Sequence, residues 1–135
     1  MRLTRTIAAS LGISIAVAAT HASAATEIPV WHAYSPDIKL GKTLERYAKQ
    51  FNEEHQRFQV KLTYKGTYDD TINATIAAAR ANKAPALSQI HVPGAPTVIY
   101  SDAVKPVGEI MQQAGITQDW DSYIQPVVQM YAAGD

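Results

Sequence analysis

The chain has 135 residues, 47% of them hydrophobic and 18% charged, with twelve basic side chains against twelve acidic and no cysteine. This is the composition of an ordinary globular domain. It excludes the basic footprint of a nucleic-acid binder and a disulfide framework, so stability has to come from a packed core.

Arg2 and Arg5 form a basic start, and Ile7 to Ala19 is an apolar run too short to span a bilayer. Ala22-Ser23-Ala24 supplies the small residues that a signal peptidase requires. Residues 1–24 therefore read as a cleaved secretory signal peptide, and residues 25–135 as an exported chain with a slight acidic excess and no membrane insertion of its own. With no cysteine to acylate, a lipid anchor of the lipoprotein type is excluded.

Glu27 to His32 reads as a first strand, with Ile28 and Val30 on one face and Pro29 near its start, where a lost donor is tolerated. Ser35-Pro36-Asp37 is turn chemistry. Leu40, Leu44, Tyr47, Ala48, Phe51 and His55 then recur as the stripe of an amphipathic helix, opposite a charged face of Lys42, Glu45, Lys49 and Glu53. Phe58, Val60, Leu62 and Tyr64 alternate with Gln59, Lys61, Thr63 and Lys65, the clearest strand in the chain; one apolar and one polar face suits an edge position.

Gly66 turns the chain into a second helix, with Thr67 as N-cap, Asp69 and Asp70 in the first turn, and Ile72, Ile76 and Ala79 as packing stripe; Asn82 to Pro85 ends it. Ala86 to Val92 is a third strand candidate, followed at once by a tight Pro93-Gly94-Ala95-Pro96 turn and a short helix over Thr97 to Ser101. Val104 to Val107 reads as a brief return segment, Glu109 to Ala114 as a helix stopped by Gly115, and Asp119 to Tyr131 as a helix interrupted at Pro126.

Alternating strands and helices predict an α/β fold with a mostly parallel sheet and helices on both faces. The loops after the three strands then share one rim, where Trp31, His32, Tyr34, Tyr68, His91 and Val92 are the candidate ligand-binding residues. Packing competes with binding for each ring, since tyrosines and tryptophans commonly cover a sheet edge. No His-x-x-x-His pattern joins His32, His55 and His91, so a metal site is not expected, nor is any other cofactor. No nucleophile stands with a base, and Asp69-Asp70 is accounted for by capping, so the chain does not read as an enzyme.

Several stretches in this order resemble the N-terminal part of the family 1 extracellular solute-binding proteins: Ile28 to His32, Phe51 to Glu54, Tyr64 to Tyr68, Ile76 to Ala78, Asn82 to Ala86, Ala103 to Val107 and Ala114 to Ile116. The resemblance implies the first part of the first lobe of a two-lobe periplasmic-binding-protein fold, with that lobe incomplete and the second absent. It further implies a polyol phosphate or carbohydrate-like solute, delivered to an inner-membrane ABC permease. By the same resemblance, Tyr68 matches a ligand-contacting tyrosine. Val92 and Pro93 depart from the pattern, Val92 standing where a glutamate takes part in the site. The competing reading is a stand-alone interaction module without small-molecule binding.

Overall fold

The structure, a computed structural model, describes residues 24–130 and 132. The signal-peptide reading, Ala24 apart, lies outside the described residues, as does Tyr131.

The first strand, β1, runs Thr26–His32 and is followed by helix α1 over Lys39–Glu54. Strand β2 (Phe58–Tyr64) leads to helix α2 (Tyr68–Arg80) and a short strand β3 (Leu87–Ser88). The three strands form one parallel sheet in the order β2-β1-β3, with Ile28 beside Val60, His32 beside Tyr64, and Trp31 beside Ser88. β2 is an edge strand, as its alternation requires.

Pro29 lies in the middle of the central strand rather than near its start, and the geometry shows why this is tolerated. The Trp31 carbonyl accepts from the Gln89 amide at 2.9 Å, while the His32 carbonyl accepts from the Lys65 amide at 2.9 Å, so odd-numbered residues of β1 face β3. β3 begins opposite Val30, so Pro29 points its missing donor past the end of that ladder.

Ser88 shares a face with Trp31, and its hydroxyl meets Thr75 of α2 at 2.6 Å, which places α2 on that face. The chain moves one way from β1 to β2 and back again to reach β3. Right-handed crossovers therefore put α1 on the opposite face, over half-buried Ile28, Val30, Val60 and Leu62. Leu44, Ala48 and Phe51 are the half-buried part of the α1 stripe, whereas Leu40 and Tyr47 are exposed.

On α2 the buried face is more polar than the expected Ile72, Ile76, Ala79 stripe. Ile72 is buried, but so are Thr71 and Thr75. Their hydroxyls donate to the carbonyls of Thr67 and Thr71 at 2.9 and 2.7 Å, so each buried O–H is satisfied within the helix.

The third strand departs most from expectation. Only Leu87 and Ser88 pair, and Val92–Gly94 is a 3-10 turn that runs into helix α3 (Ala95–Ile99). Pro85 delays the start of the strand. At Gln89 the pairing passes from backbone to side chain: its amide oxygen accepts from the Ala33 N–H at 2.9 Å. Val104 to Pro106 forms no strand, and helix α4 spans Val107–Gln113, ending before Gly115 with φ of 69°. A 3-10 turn at Trp120–Ser122 precedes helix α5 (Gln125–Met130). Pro126 lies in the first turn of α5 rather than interrupting a longer helix, because a residue without N–H is harmless where that N–H has no intrahelical acceptor.

Candidate functional site

Because the three strands are parallel, their carboxyl ends and the loops that follow lie at one end of the sheet. Three of the expected residues meet there. The Tyr68 and His91 rings stack with centroids 4.8 Å apart and planes 19° apart, and Tyr34 meets Tyr68 edge-on at 6.4 Å. Both geometries are favourable for aromatic pairs. The trio draws one ring from each of the three strand-to-helix corners.

Each corner is held by identifiable local chemistry. Tyr68 opens α2, whose N-terminus is closed by a reciprocal cap: Thr67 Oγ1 accepts from the Asp70 N–H at 3.1 Å, and Asp70 Oδ2 accepts from the Thr67 N–H at 2.8 Å. The Thr67 backbone and then its hydroxyl hold the Asp70 pKa below the ordinary carboxylate value. Gly66 has φ of 102°, and a side chain there would collide with the capping carboxylate of Asp70. Tyr34 follows Ala33, whose N–H is anchored by the Gln89 side chain. His91 packs against Gly94, where an added Cβ would come within 3.0 Å of the imidazole and overlap Ile72.

The other three residues are placed differently. Trp31 lies within β1 with Lys65 Nζ 3.6 Å from its ring centroid, a cation–π contact. His32 is 5% exposed at the end of the central strand, its ring 6.1 Å from that of Tyr64 and its Nδ1 without a hydrogen-bond partner. Burial lowers the pKa of His32 from the ordinary imidazole value, outweighing the Tyr34 backbone and the Glu45 charge, which pull it up. Val92 opens the 3-10 turn and is partly exposed. His55 is not part of the trio; it lies next to the end of α1 with its ring tilted against that of Phe51, centroids 4.4 Å apart.

Gln89 is the residue that sequence reasoning missed. A polar amide directly after a strand, at the carboxyl edge, was its only signal. A cavity also lies elsewhere, a groove of about 900 Å³ lined mainly by apolar side chains including Val98, Val107, Trp120, Ile124 and Val127. It shares no residue with the aromatic trio, and it has the chemistry of an uncovered packing surface rather than of a site for a hydroxylated ligand.

The chain is 36% identical over 132 residues to the sn-glycerol-3-phosphate-binding periplasmic protein UgpB of Escherichia coli O1:K1, covering 98% of this chain and 30% of that protein. It is 41% identical over 119 residues to the protein of the same name from Pectobacterium atrosepticum, covering 88% of this chain and 26% of that one. This chain is homologous to a stretch of these binding proteins. A third of that name, from Salmonella paratyphi A, is 37% identical over 123 residues, with 90% of this chain and 28% of that protein covered. The chain thus spans less than a third of the length of the relatives it matches. No family model matches it. The relatives are named as periplasmic binding proteins, not enzymes, and the parallel α/β sheet is consistent with part of a lobe of a periplasmic-binding-protein fold. Among the described residues no helix is long and apolar enough to cross a membrane.

Proposed function

We propose that this chain is part of the periplasmic solute-binding component of an ABC importer, taking sn-glycerol 3-phosphate or a related polyol phosphate. The observation that carries the reading is the Tyr34–Tyr68–His91 trio, contributed by three separate corners at the carboxyl rim of a parallel sheet. Open α/β sheets bind ligands at that rim. The names of the relatives supply the solute class. Aromatic rings suit the carbon skeleton of a polyol, and polar tips at their margins suit its oxygens.

In this reading residues 1–24 are a signal peptide removed near Ala24, and residues 25–135 form the N-terminal part of a first lobe. Closure of a second lobe over the rim traps the solute and presents a new surface to an inner-membrane permease. Tyr68 is the principal contact and Tyr34 its buttress. Trp31, His32 and Val92 stand at the same strand ends, with His32 buried beneath the surface rather than facing the solute.

Calorimetry of the full-length protein against glycerol phosphates, glycerophosphodiesters and oligosaccharides tests this. Saturable binding of at least one phosphate ester, weakened about tenfold or more by Tyr68→Ala, is expected; one stacked aromatic contributes on the order of 1 kcal/mol beyond the area it buries. Binding of none of the panel, or affinity unchanged in Tyr68→Ala, would refute the assignment.

A further inference from the structure

The imidazole of His91 is held in a defined orientation by two contacts. One face lies on Tyr68, with ring planes 19° apart, which fixes the plane of the ring. Its Nδ1 edge is turned inward against Gly94, the one residue type that leaves room for it, and Nδ1 is buried there with no hydrogen-bond partner.

A neutral imidazole carries one proton, and burying an unpaired N–H is rarer and more costly than burying an unpaired lone pair. That argument assigns the proton to Nε2, the ring nitrogen that is not among the buried, unpartnered atoms. Among the carboxylates of the flanking segments, Asp70 is engaged by Thr67 and Asp37 faces Ser35, while Asp69 is exposed in the first turn of α2. None of them bonds His91.

From this geometry we propose that His91 is a specificity-determining residue: it presents Nε2–H from its stack on Tyr68 to an anionic phosphate oxygen of the solute. The proposal rests on the binding reading above and adds to it the group that separates a phosphate ester from a neutral polyol. Hydrogen bonds to charged acceptors are roughly twice as strong as those to neutral ones, so the donor favours the ester over the free alcohol.

The test is calorimetry of the full-length protein with sn-glycerol 3-phosphate and with glycerol as probes. His91→Phe keeps the stacked ring and removes the donor. It should weaken glycerol 3-phosphate by about ten- to hundredfold and leave glycerol within about threefold. Tyr68→Ala, run in parallel, should weaken both. Unchanged phosphate affinity in His91→Phe, with Tyr68→Ala still impaired, would overturn the role of His91 and leave the site standing. Unchanged affinity in both variants would remove the site itself.

Should His91→Phe fail to fold, nitrogen-15 NMR of the unaltered protein gives the same decision. The His91 Nε2 resonance should move on saturation with glycerol 3-phosphate while Nδ1 stays nearly constant. An Nε2 resonance that does not respond would overturn the proposal.

Discussion

At the scale of the single residue, this molecule repeatedly uses polar side chains where backbone or apolar groups are the usual choice. Thr75 illustrates the energetics. Its hydroxyl donates to Thr71 and meets Ser88, so Thr75→Val preserves shape but strands the Ser88 hydroxyl. Chemical denaturation should show a loss of about 1–2 kcal/mol, and the double variant with Ser88→Ala should recover most of it, because removing both partners leaves nothing unpaired. Equal losses in the single and double variants would contradict this. His32 makes a pH prediction of definite sign. Its pKa is lowered in the fold, so the unfolded chain takes up the proton first as pH falls. The stability that His32 contributes is complete above about pH 6.5 and is lost progressively below it. Urea midpoints across pH 5–8 should fall on the acid side, and His32→Leu should flatten that slope.

Among the elements, β2 is an exposed edge with a specific guard. Asn52 of α1 accepts from the Val60 N–H at 2.7 Å and donates to the Val60 carbonyl at 3.0 Å, imitating a neighbouring strand. Asn52→Leu should both destabilise the fold, by about 1–3 kcal/mol in denaturation, and raise its tendency to associate through the freed edge, read by light scattering. The first four elements and the Thr67–Asp70 cap were legible because hydrophobic period and capping chemistry are local signals. The brevity of β3 was not. Gln89 continues the pairing with a side-chain amide, Asn52 closes an edge in the same way, and Thr71 and Thr75 fill a helix face with hydroxyls. None of these produces an apolar period. Of the candidate site, the gathering of the strand ends at one rim followed from parallel topology. That Tyr34, Tyr68 and His91 touch while Trp31 is capped by Lys65 depends on side-chain directions that the sequence does not encode locally.

For the molecule as a whole, the apolar interior is small. Among the described residues the buried hydrophobic side chains are Ile72, Ala95 and Val98, while Val107, Ile110, Ile124, Val127 and Met130 on α4, α5 and the segment between them are exposed. Hydrophobic burial is the main favourable contribution to folding, so residues 25–135 alone should have low stability, with a broad thermal transition by circular dichroism. A sharp transition at high temperature would contradict that expectation. The rim, in contrast, is tied down by the cap at Thr67, the Gln89 anchor and the His91–Tyr68 stack.

The most direct measurement is a two-dimensional amide NMR titration of the full-length protein with sn-glycerol 3-phosphate. Shifts should concentrate at Tyr34, at Gly66 to Asp69 and at Gln89 to Val92. Saturable shifts confined to the apolar groove around Val107, Trp120 and Ile124, with the rim silent, would contradict the account.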